Sequence, residues 1–500
     1  MTVGVVMMKE PIKNIMFVQS DRHDVVYVLR ICAIAALGGI LFGYDTAVIS
    51  GAVGSLQSYF HLSPAEIGWA VSNVLLGCIL GAGVSGWLAD RFGRRPTLAV
   101  SAALFTGSAI GAALATGFTS FVVYRFIGGV AVGVASSISP MYMSEVSPKD
   151  MRGRALYMEQ FAIVGGQLMV FIVNYLIARS ASEAWLMNVG WRWMLGSEVI
   201  PCIVFCIAIF FMPESPRWHV LRGRDDDAMR TLTRISNEHH ARSVLTEIKE
   251  SLEHKIETSD LGRAVASKGA RWIIFVGAMV AMLQQLTGVN SMMYYAPLVL
   301  GSVSGSVQNA LFQTIWIGVA SVSGAVLGSW IIDHKGRLPL FRFGSIGMII
   351  GLLATSWALY TQTHGYSALV GMLIYMLLFG LSWGPLTWVL IAEIFPNRIR
   401  GVGMSIAVSA NWVMNFIVSQ LFPMMAQNHR LDAMFHGALP MWLFALFTLF
   451  SWWFVERYVP ETKGIALEKI ESVMLAPKRR RAASAPTVPT DGLTDMVGRK

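Results

Sequence analysis

Residues 145–153 read EVSPKDMRG, and residues 393–401 read EIFPNRIRG, an offset of 248. Working outward from these words, DRFGRRP at 90–96 returns as DHKGRLP at 333–339, an offset of 243. PESPRW at 213–218 is echoed by PETKG at 460–464, an offset of 247. Three near-equal offsets, close to half of a 500-residue chain, indicate duplication of one structural unit.

The words sit between long apolar segments. Twelve such segments occupy 27–57, 67–89, 96–117, 119–146, 155–179, 191–212, 271–299, 308–332, 338–362, 365–394, 402–426 and 436–457. Each reaches the roughly 20 residues that a helix needs to cross hydrocarbon. The expected fold is an all-α membrane protein, with twelve transmembrane helices in two pseudo-symmetric six-helix halves. The expected organisation is an N-terminal segment at 1–26, a bundle at 27–212 and a linker at 213–270. A second bundle at 271–457 and a mostly disordered tail at 458–500 complete it. Within the linker, DDDAMRTLTRI and ARSVLTEIKESLEHK read as short amphipathic helices. Two parallel halves facing one another, with a substrate site between them near the midplane, form a rocking-transporter architecture.

Charge then orients the bundle. Only 14% of residues are charged, against about 25% in soluble domains. The net charge of +9 does not point to nucleic acid, because the basic residues lie in connections between apolar segments. With the N-terminus inside, inner segments hold 35 of the 39 Lys and Arg residues. The outer connections hold Arg179, Arg192 and Arg430, and Arg125 lies within a span. The positive-inside rule therefore places both termini in the cytoplasm. The first apolar segment is expected to act as an uncleaved signal anchor, and Cys32, Cys78, Cys202 and Cys206 as small core residues.

The repeated words carry charges of both signs at the level where spans meet the cytoplasm. These are the Glu-x6-Arg-Gly pairs Glu145/Arg152 and Glu393/Arg400, and the Asp-x-x-Gly-Arg turns Asp90/Arg94 and Asp333/Arg337. They form a candidate cytoplasmic gate, a network holding the inner ends together in one state and parting in the other. Solvated loop charges are the plainer alternative.

One acid lies deeper. LFGYDTAVIS at 41–50 places Asp45 in the middle of the first apolar segment. Arg125, in the fourth, is its candidate partner, and Glu198, in the sixth, is a secondary candidate. A carboxyl whose distance from a guanidinium changes during a cycle changes its affinity for a proton, the minimum apparatus for proton coupling. A fixed ion pair between two helices is the alternative.

Side-chain amides mark a candidate site for a neutral polyhydroxyl ligand, because each amide both donates and accepts. Gln160 and Gln167 lie seven apart in span five. Gln284, Gln285 and Asn290 lie in span seven, followed by Tyr294 and Tyr295. Asn411 and Asn415 are one turn apart in span eleven, and Trp388 follows a Gly-Pro break in span ten. Gly288 and Pro297 would let span seven bend near Asn290. With no Lys or Arg besides Arg125 away from the ends of a span, an anionic substrate is disfavoured.

The set LFGYDTAVISG, DRFGRRP, YRFIGG, PESPRW, QQLTGVN, SWGPLTWVLIAEIFP and PETKG resembles the sugar porter family of the major facilitator superfamily. The resemblance covers the chain except its first 25 or so residues and its tail. The stretch QFAIVGGQLMVFIVNYLIARS looks most like the family's bacterial xylose–proton symporters. It implies inner-membrane proton symport of a sugar such as D-xylose, driven by the proton gradient, with no cofactor and no metal. By resemblance, Gln160, Gln284, Gln285, Asn290 and Trp388 match sugar-contacting positions. Phe42, Gln167, Tyr294, Phe379 and Trp383 match a second line of contacts. The family's passive facilitators carry a neutral Asn at the position of Asp45. Asn411 stands where the xylose carriers have Gln, and Ser321 where Asn is usual, which leaves pentose against hexose open.

The partners expected are a small neutral sugar, a proton and the lipid bilayer, without nucleic acid, and the carrier is expected to be a monomer. A uniporter, a polyol or inositol symporter, and a sugar sensor signalling through 213–270 and the tail are the other readings. There is no phosphate-cradling loop, metal-ligand cluster or nucleophile elbow, so an enzyme is not expected.

Overall fold

The computed structural model describes residues 24–253, 265–363, 365–396, 398–463 and 467–475. Most of the expected N-terminal segment, residues 254–264 of the linker and the tail from 476 lie outside the described residues, as does the side chain of Asp333. The described residues contain twelve helices long and apolar enough to cross a bilayer. The first six are Val25–Phe60, Pro64–Phe92, Arg94–Ala113, Phe118–Val146, Arg152–Ala178 and Glu183–Ile209. The last six are Lys268–Tyr294, Val307–Ile331, Arg337–Tyr360, Ser367–Ile394, Arg400–Ala426 and Leu439–Tyr458.

Local chemistry sets the boundaries. Ser63 caps the second span in a capping box with Glu66, whose Oε2 accepts from the Ser63 backbone N–H at 2.8 Å, and Pro64 follows at the first helical position. The sixth span starts earlier than its apolar run suggests, at Glu183. A π-turn at Leu186–Gly190 carries the helix through polar residues. Span seven is one helix only to Leu286: Gly288, at φ 89°, breaks it before Val289–Tyr294 and Ala296–Ser304. Span ten breaks at Ser382, between Ser367–Leu381 and Trp383–Ile394. Both breaks fall beside the amides.

Within the first half, spans two and four approach at backbone distance. Gly77 and Gly81 face the backbone of Phe126 and Val130, while Gly129 and Gly133 face that of Val74 and Cys78. Small residues four apart let dispersion and packing join helices that have no hydrophobic drive to associate in lipid.

Twelve long helices return the chain to the side where the first one began, so Asp24 and the residues after Tyr458 lie at one end of the molecule, here called the termini end. The halves meet at the far end. There Gln57 and Gln427 exchange amide bonds at 3.3 Å, Ser72 Oγ donates to Gln420 Oε1 at 2.8 Å, and Gln420 Nε2 donates to the Ala65 carbonyl at 2.9 Å. Gln308 Nε2 donates to the Ala181 carbonyl at 3.3 Å, and the Tyr175 and Phe312 rings lie 5.4 Å apart. The buried core follows the same division. Far-end residues of the first half (Val48, Ala52, Val71, Phe171) share one apolar cluster with the second half. Its termini-end residues (Ile31, Leu98, Tyr142, Phe205) form a cluster of their own. The molecule is closed at the far end and parted towards the termini.

The linker contributes helices Pro216–Leu221, Asp225–Ile235 and Glu238–Glu253 at the termini end. Asp225, Asp226 and Asp227 occupy the first turn of the second, where they suit the helix dipole. Its last residue is tied back to the first span, since the Asp24 N–H donates to the Ile235 carbonyl at 2.9 Å.

Candidate functional site

The deepest charges in the first half converge. Arg125 Nη1 donates to Asp45 Oδ1 at 2.7 Å and Nη2 to the Asp45 backbone carbonyl at 3.2 Å. Glu198, at the bend of span six, brings its carboxyl within hydrogen-bonding reach of Asp45. Asp45 and Arg125 are 1% exposed and Glu198 is 2% exposed. Two carboxyls against one guanidinium leave one negative charge unmatched, and two carboxyls can bond to each other only through a proton. The trio is therefore balanced when it holds one H⁺. The Tyr44 hydroxyl and Ser197 Oγ, 2.7 Å apart, pin the first span to the bend that carries Glu198.

In the second half the amides form a chain. Asn290 Nδ2 donates to Gln285 Oε1 at 2.8 Å, and Gln285 Nε2 to Asn411 Oδ1 at 3.1 Å. Asn411 Nδ2 donates to Gln284 Oε1 at 3.0 Å and to the Ala281 carbonyl at 2.8 Å. Gln284 Nε2 then donates to the Trp383 carbonyl at 2.9 Å and the Gly384 carbonyl at 3.3 Å, in the first turn after the break in span ten. Tyr294 is buried within reach of Asn415. Trp388, Asn290, Phe42, Gln160 and Phe379 are half-buried, while Gln167 is buried on span five. Phe379 lies 6.3 Å from the Tyr375 ring.

Two placements differ from the sequence reading. Trp383 turns away from the amides: its ring is fully buried against Phe341 at 4.8 Å, and Nε1 donates to Ser345 Oγ at 2.8 Å. It props the broken helix from behind. Trp412, not singled out in the sequence, lies 5.8 Å from Phe42 across the two halves. Its neighbour Asn411 was the signal available.

At the termini end the repeated words build the same clamp twice. In the first half, Arg94 Nε and Nη2 donate to the two oxygens of Glu145, each at 2.9 Å, and Ser215 Oγ also donates to Glu145. Arg94 Nη1 reaches Asp90 at 3.4 Å. Glu214 accepts from the backbone N–H groups of Arg94 at 2.9 Å and Arg95 at 3.1 Å, capping span three. Burial pushes the Glu214 carboxyl above its ordinary range, and those N–H bonds pull it back. In the second half, Arg337 Nε and Nη2 donate to Glu393 at 3.2 and 2.7 Å, and Thr462 Oγ1 donates to Glu393 at 2.5 Å. Glu461 accepts from the N–H groups of Arg337 at 3.0 Å and Leu338 at 2.9 Å.

The spacing Glu-x6-Arg does not describe these bonds. Glu145 takes Arg94 instead of Arg152, and Glu393 takes Arg337 instead of Arg400. The reason is helical direction: Arg152 begins the next span and stands exposed on a cleft with Arg217 and His240, and Arg400 Nε turns back to the Phe395 carbonyl at 3.3 Å. Each clamp also closes within its own half. The sequence reading missed Glu214, Ser215, Glu461 and Thr462, although the third repeated word carried all four at a single offset.

A family model described as "Sugar (and other) transporter" matches residues 31–474. The chain belongs to this sugar transporter family. It is 42% identical over 480 residues to the D-xylose-proton symporter of Escherichia coli strain K12, covering 91% of this chain and 97% of that one. It is 36% identical over 455 residues to the arabinose-proton symporter of Bacillus subtilis strain 168, covering 91% and 96%. Among solved structures, the inward open conformation of the xylose transporter XylE from E. coli superposes with a TM-score of 0.80 at 39% identity, covering 89% of this chain and all of that one. The sugar transporter's fold is thus the major facilitator fold that the family resemblance implied, built from the two six-helix halves expected from the repeat, and it crosses a membrane many times. As a member of this family it is a carrier, not an enzyme.

Proposed function

We propose that the protein imports a neutral monosaccharide, D-xylose or a related pentose or hexose, together with a proton across the cell inner membrane by alternating access. The observation that carries the reading is the buried trio Asp45, Arg125 and Glu198, two carboxyls against one guanidinium, whose charge would balance with one added proton. The proton-symporter names of the relatives at 42% and 36% identity support it. In this reading the termini lie in the cytoplasm, as the charge asymmetry requires, and the parted end faces inward. Halves 27–212 and 271–457 rock about the sugar, with 213–270 as the linker between them.

The sugar is held by the amide chain of the second half, Gln284, Gln285, Asn290 and Asn411, with Gln160 and Gln167 opposite and Trp388 as the aromatic wall. Tyr294, Phe42 and Phe379 complete the site. When the cytoplasmic ends close, Arg152 and Arg400, which the clamps leave out, are the cations placed to bridge between halves. The carrier acts as a monomer within the bilayer. One proton crossing 100 mV supplies roughly 2.3 kcal/mol, enough for about fifty-fold accumulation of a neutral sugar.

The test is made in proteoliposomes. Adding xylose should alkalinise the medium, and Asp45→Asn should abolish uphill accumulation while leaving sugar exchange at equal concentrations intact. A carrier that moves sugar without any proton movement is a uniporter, and the reading then fails.

A further inference from the structure

Asp45, Arg125, Glu198 and Arg94 each meet another charged side chain; among the described residues, one more buried charged-type side chain in the first bundle does not. Glu159 lies in the fifth span and is 6% exposed, and neither of its carboxyl oxygens has a hydrogen-bond partner among the described residues. Its carboxyl rests against the first span at Gly39, where an added Cβ would stand 3.0 Å from both Cδ and Oε1. The missing side chain is what makes room for the acid between the two helices.

Depth gives this acid a position in the proton's path. Gly39 precedes Asp45 by six residues, about 9 Å along a helix, on the side of the termini. On its own helix Glu159 adjoins Gln160 and lies seven residues, about 10 Å, from Arg152 at the parted end. It therefore stands between the acid trio and the open mouth. The first span offers only Gly38 and Gly39 at this level. The fourth offers the Ser139 hydroxyl, which faces Gly38 and is itself buried without a partner. The charged groups along these helices are Asp45 and Arg30 on the first, Arg125 and Glu145 on the fourth, and Arg152 and Arg154 on its own. No neighbouring charge among the described residues acts on Glu159. An ionised carboxylate so placed would be buried without a cation, a state that proteins avoid by keeping the acid neutral. Helix-to-helix glue does not explain it, because it makes no bond.

We propose that Glu159 is a second proton-binding site of the carrier, the station through which the coupled proton passes from the Asp45–Glu198 pair to the solution at the termini end. This rests on the proton-symport reading above. The step is proton transfer alone. Glu159 gives its proton to water at the open mouth, and the carboxylate left behind takes the proton of the Asp45–Glu198 pair, by way of water or the Ser139 hydroxyl. No other bond changes.

The full-length carrier in liposomes tests it. Glu159→Gln should exchange xylose at equal concentrations at the wild-type rate, yet slow uphill uptake and sugar-driven alkalinisation roughly tenfold, and Glu159→Asp should recover most of the loss. Infrared difference spectra across a pH titration should show a protonated-carboxyl C=O band that Glu159→Gln lacks. Uphill uptake at the wild-type rate in Glu159→Gln at every pH, or an unchanged carboxyl band, overturns the proposal. If Glu159→Gln folds poorly, Glu159→Asp decides: band and uptake must return together, and uptake without the band overturns it. Failure of the symport reading looks different, since the wild-type carrier would then move sugar with no alkalinisation at all.

Discussion

Arg125 holds Asp45 twice, through its carboxylate at 2.7 Å and through its backbone carbonyl at 3.2 Å. The second bond does not depend on the charge of Asp45, so the guanidinium stays anchored when the acid takes a proton. Only the first bond is switched. Arg125→Leu strands two carboxyls in a site almost without solvent, and removing one partner of a buried pair costs about 3–5 kcal/mol. The expected outcome is a large fall in the melting temperature of the detergent-solubilised protein, with loss of uphill transport. Adding Asp45→Asn to Arg125→Leu should restore much of the melting temperature, because it removes the stranded charge. If the two losses simply add, the pair is not coupled as described.

The matched clamps predict matched sensitivity to a single methyl group. Gly93 sits at φ 103°, and a Cβ there would strike the Glu214 carboxylate and Trp218. Gly336 sits at φ 84°, with Glu461 Oε2 3.1 Å from where its Cβ would be. Gly93→Ala and Gly336→Ala should each cost about 1–3 kcal/mol through backbone strain alone. Gly86→Ala, in a helix with nothing within 4 Å of the new methyl, should be near neutral and serves as the control. Thermal melts of the three variants decide the matter. Equal melting temperatures throughout would mean that the turns are not strained.

Much of this architecture was legible because lipid enforces it. Twelve apolar runs had to be helices, and the offset of near 245 between repeated words had to come from two like halves. The pairing of Asp45 with Arg125 was legible for the same reason: charges this costly in a span need each other. Less legible was which charges meet at the termini end. A shared level in the membrane does not say which way each side chain turns, so the sequence named Glu145, Arg152, Asp90 and Arg94 as one network without saying that Glu145 takes Arg94. Trp383 shows the same limit, since the break at Ser382 rotates its ring towards Ser345. Glu159 was overlooked beside Gln160, although an acid inside an apolar span is the very signal that drew notice to Asp45.

The amide chain predicts that Asn411 is its hub. Asn411 accepts from Gln285 and donates to Gln284 and the Ala281 carbonyl, so truncation leaves two buried amide groups, Gln285 Nε2 and Gln284 Oε1, without that partner. Asn411→Ala should raise the KM for xylose by about tenfold or more, corresponding to at least ~1.4 kcal/mol of lost binding. The number of protons carried per sugar should not change, because the acid trio lies in the other half. Asn411→Gln keeps donor and acceptor on a longer stem and should retain transport with a changed preference between pentose and hexose. Measured uptake of labelled xylose against unlabelled glucose and arabinose tests both. An unchanged KM in Asn411→Ala would remove these amides from the sugar site.

Closure of the far end depends on a few bonds between halves, and Gln420 makes two of them, accepting from Ser72 and donating to the Ala65 carbonyl. Gly68 packs against the Gln420 side chain and backbone, so the amide is seated and not merely exposed. Each bond contributes about 1 kcal/mol net, so Gln420→Ala should shift the equilibrium towards the conformation open at the far end by about 1–2 kcal/mol. A shift of that size moves populations roughly five- to thirty-fold. It should leave the sugar and proton sites untouched, so binding at saturating sugar is unchanged while the resting conformation differs. Spin labels on the far-end segments of spans two and eleven would report the change as a longer mean distance. Labels at the termini ends of the same spans should draw closer, because a rocking bundle cannot open at one end without closing at the other. A far-end distance that lengthens while the termini-end distance stays fixed would mean local loosening, and the rocking description would be wrong.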